Sequence, residues 1–134
     1  MDDVFRLLDQ LPKLEFLNLS MNKITFQPDY HQQQEQQQQY HQLKTLVWNF
    51  GDLTWKHIEY LVSLFPNLKE LHARDNEIES IDTTPLWKNI TYLNLANNKL
   101  SSWDQIQKLS MLPSYVYDNS LSLIHMTNIR IQSH

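Results

Sequence analysis

The stretch Ile90-Thr-Tyr-Leu-Asn-Leu-Ala-Asn-Asn-Lys-Leu100 decides the architecture of this chain. It reads apolar-x-x-Leu-x-Leu-x-x-Asn-x-Leu. Three further segments hold the same frame. Leu14-Glu-Phe-Leu-Asn-Leu-Ser-Met-Asn-Lys-Ile24 fits it fully. Leu68-Lys-Glu-Leu-His-Ala-Arg-Asp-Asn-Glu-Ile78 carries Ala73 for the third apolar position, and Leu43-Lys-Thr-Leu-Val-Trp-Asn-Phe-Gly-Asp-Leu53 carries Trp48 there and Gly51 for the asparagine. A pattern kept in frame this often is an internal repeat, so each unit buries its apolar face against its neighbours.

The frame is that of a leucine-rich repeat. The expected fold is an α/β solenoid. A short parallel β-sheet lines its concave face, and helices or irregular segments form its convex face. The first, fourth and sixth frame positions point inward. Asn22, Asn76 and Asn98 stand at the turn leaving each strand, where a side-chain amide can satisfy open backbone groups. Gly51, the only glycine, is expected to support the turn geometry without supplying that amide, so the ladder should be weakest at the second repeat.

Composition narrows the class of function. The chain has 134 residues and no cysteine, and its formal net charge is −4. There is no basic footprint for nucleic acid. The lack of cysteine and of a signal-peptide start favours a cytoplasmic setting. No window approaches a membrane span, so no membrane partner is expected. Sequons at Asn18-Leu-Ser20 and Asn89-Ile-Thr91 read as coincidence in that setting.

Taken in order, residues 2–11 read as a helix with Val4, Leu7, Leu8 and Leu11 on one face, ended by Pro12. The chain thus starts in the second half of a repeat without a visible cap, which suggests further residues upstream. Residues 25–42 interrupt the array with the glutamine-rich tract His31-Gln-Gln-Gln-Glu-Gln-Gln-Gln-Gln-Tyr-His-Gln42. Such a tract buries no core and reads as a disordered insertion, with weak metal binding by His31 and His41 as the alternative. Residues 54–65 form a helix capped by Thr54, with Trp55, Ile58, Leu61, Val62 and Phe65 inward. Residues 102–112 repeat that plan, with Ser102 and Gln105 as a capping box. Between Ile78 and Ile90 the back is shorter: Ile81, Leu86 and Trp87 cover the core, and Pro85 excludes a helix interior. The repeat domain is expected over residues 1–113. After Pro113 the frame would require leucines at 118 and 120, but Asp118 and Ser120 stand there. Residues 114–134 read as a divergent or unrelated tail, although Leu121, Ile124 and Met126 could make a strand.

The outward positions supply the candidate binding residues. They are Phe16 and Asn18, then Thr45, Val47 and Asn49, then Glu70, His72 and Arg74, then Tyr92 and Asn94, with Ser20 and Ala96 at the flanks. Phe16, Val47, His72 and Tyr92 are expected to form a continuous row, and the concave face of a solenoid is its usual binding surface. Asp75, near His72 and Arg74, reads as part of a surface ion pair. No catalytic constellation is present, so no enzyme activity, cofactor, metal or small-molecule substrate is expected.

Two longer stretches carry a more specific resemblance. Leu43 to Ile78, with its repeat lacking the asparagine, its Thr54-Trp55 helix and the Pro66-Asn-Leu-Lys-Glu-Leu71 that closes the helix, resembles the repeat region of the tubulin-folding cofactor E and cofactor E-like family. Leu93 to Pro113, with Ser102-Trp103, resembles a second such module. The resemblance implies a protein-binding module acting in tubulin folding and in assembly or disassembly of the heterodimer. It implies α-tubulin as partner and a cytoskeleton-associated location. CAP-Gly and ubiquitin-like sequences found in that family are absent here, and the matching positions are mainly scaffold. The alternative is an intracellular repeat adaptor in a ribonucleoprotein or phosphatase complex.

Overall fold

The computed structural model describes residues 2–23, 38–82, 89–100, 103–108 and 124–125. Helix α1 (Asp2–Gln10) leads into strand β1 (Phe16–Asn18), followed by β2 (Thr45–Val47), α2 (Trp55–Leu64), β3 (Glu70–His72), β4 (Tyr92–Asn94), α3 (Trp103–Gln107) and β5 (Ile124–His125). The strands form one sheet in the order β1-β2-β3-β4-β5, and every pairing is parallel. The glutamine tract's His31–Gln37, the Pro85-Leu86-Trp87 back, Ser102 and most of the last twenty-six residues lie outside the described residues.

Strict frame repetition produces this topology. The central residue of each repeat strand points into the core: Leu17, Leu46, Leu71 and Leu93 are buried and paired in register. Burial of each such leucine stabilises by about 1.5–3 kcal/mol. In the first repeat Leu14 and Leu19 are only partly buried, because β1 is an edge with a neighbour on one side. Helix α2 buries Trp55, Ile58, Leu61 and Val62 as expected, with Tyr60 and Leu64 besides, and Phe65, expected within the helix, is buried just after it. Its first turn is capped by His57, whose Nδ1 accepts the Thr54 N–H at 2.9 Å. Ile81 is buried as expected, and its N–H donates to Gln105 Oε1 at 2.8 Å.

Helix α1 packs differently from its expected face. Leu8 is buried and Val4 and Phe5 lie against the core, whereas Leu7 and Leu11 are exposed. Tyr40 decides this orientation. Its ring stacks on Phe5 at 5.7 Å and contacts Phe65 at 6.2 Å, and its hydroxyl donates to Asp9 Oδ1 at 3.2 Å. Burial, with the Asp9 carboxylate beside it, pushes the phenol above its ordinary range. Gln42 Nε2 also donates to Leu8 O at 3.2 Å, so the end of the glutamine tract, expected to bury no core, places Tyr40 in it and clamps α1 to the second repeat.

The asparagine ladder is as expected in the third and fourth repeats and altered in the second. Asn76 is buried; its Oδ1 accepts from Gly51 N at 2.8 Å and Leu53 N at 3.0 Å, and its Nδ2 donates to Trp48 O at 2.8 Å. Asn98 accepts from Ile78 N at 3.1 Å and donates to Ala73 O at 2.9 Å. At Gly51 the missing amide is replaced from a different position: Trp48 Nε1 donates to Asn22 O at 2.9 Å. A Cβ on Gly51 would sit 2.5 Å from that indole nitrogen. The glycine therefore makes room for Trp48. It does not supply a left-handed turn, since its φ is not positive. The second repeat keeps an inter-repeat hydrogen bond, so the expected weak point is bridged by the indole.

Among the described residues, left-handed backbone occurs at Asp52, with φ 57°, and at one recurring place in the frame. Met21, Phe50, Asp75 and Asn97, the eighth frame position of each repeat, have φ of 66°, 56°, 55° and 57°. Asn and Asp tolerate this region, whereas Met and Phe pay on the order of 1–3 kcal/mol for it.

The last strand falls within the segment read as a tail. Ile124 pairs with Leu93 and His125 with Asn94. The apolar triplet Leu121, Ile124 and Met126 thus places its central member in line with the earlier leucines, later in the chain than the regular spacing would put it.

Candidate protein-binding face

The outward residues of the sheet fall into two rows set by the register. Phe16, Thr45, Glu70 and Tyr92 form one row; Asn18, Val47, His72 and Asn94 form the next. The expected continuous row of Phe16, Val47, His72 and Tyr92 is instead a zigzag between them. Alternate outward positions along a strand lie about 7 Å apart, and neighbouring strands about 4.8 Å apart. Phe16, exposed by 56%, is separated from Tyr92 in its own row by Thr45 and Glu70.

The structure gathers three candidates into one cluster. The His72 and Tyr92 rings lie 4.9 Å apart at 36°, and His72 Nε2 stands 3.6 Å from Glu70 Oε2. Tyr92 and His72 are half-buried by their neighbours, so little side-chain freedom remains to be lost on binding. The Glu70 contact is long and open to solvent, and its energetic weight is small.

The polar candidates are partly occupied by the fold. Asn18 Oδ1 accepts from Ser20 N at 2.9 Å, and Asn94 Oδ1 accepts from Ala96 N at 3.0 Å. Asn49 Oδ1 accepts from Arg74 N at 3.0 Å, while its own N–H donates to Ser20 Oγ at 3.0 Å. These side-chain oxygens close the strand ends. Ala96, expected outward, is buried. Thr45 and Val47 are half-buried at the centre of the face.

Arg74 makes the expected surface ion pair. Its Nε donates to Asp75 Oδ2 at 2.8 Å, and its guanidinium lies 5.9 Å from the centre of the Phe50 ring. Phe50 and Met21 are exposed by 53% and 82%, and neither was among the sequence candidates. The signal available was the eighth frame position, where two bulky apolar residues stand in place of Asp75 and Asn97.

Among the described residues, no group of three or more His, Cys, Asp or Glu could hold a metal ion. No described helix is long and apolar enough to cross a membrane. What the face offers is aromatic and aliphatic surface with a few aligned polar groups, which suits recognition of a protein surface.

Comparison with known proteins agrees with the repeat reading. The family described as Leucine Rich repeats (2 copies) matches residues 66–113. Tubulin-folding cofactor E of Arabidopsis thaliana is 32% identical over 132 residues, which is 92% of this chain and 24% of that protein. Tubulin-specific chaperone E of Mus musculus is 31% identical over 136 residues, 97% of this chain and 25% of that protein. The cofactor E-like protein of Homo sapiens is 26% identical, over 84% of this chain and 26% of its own length. No solved structure matches. The chain spans about a quarter of the length of these relatives. Along most of its length the chain is similar to about a quarter of tubulin-folding cofactor E, and residues 66–113 match the leucine-rich repeat family.

Proposed function

We propose that this chain is a protein-binding solenoid module that engages tubulin, through its α subunit, in tubulin folding and in assembly or disassembly of the heterodimer. The similarity to tubulin-folding cofactor E and tubulin-specific chaperone E over most of the chain carries this reading. The parallel sheet serves as the concave face, the backs of the repeats as the convex face, and the contact is made by Tyr92, His72, Val47 and their neighbours. A cytoplasmic, cytoskeleton-associated location and a non-enzymatic role follow from the same reading. Because the chain spans a quarter of the relatives' length, the activity proposed is binding, and the complete reaction of the cofactor is not assigned to it.

The test is the affinity of the full chain for purified α/β-tubulin, compared with His72→Ala/Tyr92→Ala. Both side chains project from the sheet, so the variant is expected to fold. Loss of about tenfold or more in affinity is expected for a pair of central aromatic contacts. Undiminished binding by the folded variant assigns the contact to another surface, and failure of the unmodified chain to bind tubulin removes the proposal.

A further inference from the structure

Two adjacent turns carry a feature that the fold does not require. Met21 and Phe50 hold left-handed backbone at φ 66° and 56°, while Asp75 and Asn97 hold the same place in the next two repeats at 55° and 57°. Asp and Asn suit that conformation. The two apolar side chains gain little from burial in return, since they remain 82% and 53% exposed. The turns are laced into one ladder: Met21 N–H donates to Asn49 O at 2.9 Å and Phe50 N–H to Arg74 O at 3.3 Å. Their side chains therefore leave neighbouring repeats side by side, where the outward face of the sheet ends. Arg74 lies over Phe50 with its Nε held by Asp75. Its two terminal amino groups have no acceptor among the described residues.

We propose that Met21, Phe50 and Arg74 form a second anchoring shelf for the partner, taking a protein segment that presents an apolar side chain next to a carboxylate. This rests on the tubulin-binding reading and adds to it a site and the chemistry that site selects. The apolar side chain beds on Met21 and the open part of the Phe50 ring. The carboxylate meets the paired terminal nitrogens of Arg74, a geometry that guanidinium offers and ammonium does not. Asp75 holds the guanidinium in place by its Nε and leaves that edge free. Backbone conformational cost and solvent-exposed apolar area are tolerated together at binding sites, where selection acts on recognition more than on stability.

The variant Met21→Asn/Phe50→Asn tests this. It copies the residue that the fourth repeat uses at the same φ, so its melting temperature is expected to equal or exceed that of the unmodified chain. Its affinity for purified α/β-tubulin is expected to fall about tenfold. Arg74→Gln is expected to lose severalfold and to flatten the salt dependence of binding. Should the unmodified chain and the asparagine variant bind tubulin equally, the shelf is overturned while the sheet-face reading stands. Should the unmodified chain not bind tubulin, both fall. Sedimentation velocity covers the remaining occupant: self-association of the unmodified chain that the asparagine variant abolishes would assign the shelf to a second copy and overturn the proposal.

Discussion

Asn76 shows how much one side chain carries in this fold. It is buried, and it satisfies Gly51 N, Leu53 N, Trp48 O and Arg74 O. Replacing it with alanine leaves two backbone donors and a carbonyl of the preceding repeat unpaired in the interior. Asn76→Ala is expected to cost roughly 3 kcal/mol. Asn22 occupies the same frame position but is exposed, and among the described residues its side-chain amide bonds only to Leu19 O and Ser20 O of its own turn. Asn22→Ala is expected to cost less than about 1 kcal/mol. Urea unfolding of the two variants, with the slope unchanged, measures the difference. Equal losses would mean that the amide acts within its own turn and not between repeats.

At the scale of the element, the second repeat is built around a paired exchange. Trp48 stands where the other repeats have Leu or Ala, and Gly51 stands where they have Asn. The indole N–H occupies the space of the absent side chain and donates to Asn22 O. Each half of the exchange depends on the other. Gly51→Asn alone forces the indole out and is expected to cost about 2 kcal/mol. Trp48→Leu alone leaves a void and an unpaired carbonyl, for about 2–4 kcal/mol. The double variant restores the common frame, and a double-mutant cycle is expected to show a favourable coupling of about 1–3 kcal/mol. An additive cycle would show that the two positions are independent.

Helix α2 carries a second element-scale effect, at Glu59. Burial, and then the Asp82 carboxylate, raise its carboxyl above the usual range, against a smaller opposing hydrogen bond from Trp55. A raised folded value favours the protonated form, so the contribution to stability is present below the ordinary carboxylate range and is lost as pH rises through the folded value. At neutral pH the ionised Glu59 therefore opposes folding. Glu59→Gln is expected to raise the melting temperature slightly at pH 7, by an amount reduced by solvent screening, and to bring no gain near about pH 4. A gain that does not change with pH would point to packing rather than charge.

At the scale of the molecule, the described strands are hydrogen-bonded to their neighbours in the order β1 to β5. Binding across such a sheet depends on which outward residues the register sets side by side. His72 and Tyr92 come from different repeats and different rows, yet their rings meet at 4.9 Å. Phe16 and Tyr92 share a row and lie at its two ends. The expected loss of tubulin affinity in His72→Ala/Tyr92→Ala belongs to this scale, because it removes one cluster made by two repeats. The shelf of Met21, Phe50 and Arg74 likewise spans the first three repeats, and no single repeat contains it.

By itself the sequence determined the repeat units, their parallel strands and the inward leucines, because a frame recurring in register dictates which side of each strand is buried. It also determined the resemblance to the cofactor E family and the buried face of α2. Tertiary structure alone decided the roles of Gly51, Trp48 and Tyr40, the outward rows, and the exposure of Met21 and Phe50. Those depend on distances between residues of different repeats. A frame read along one strand leaves out the neighbouring strand's side chains, and it is their volume and hydrogen bonding that set what each position does.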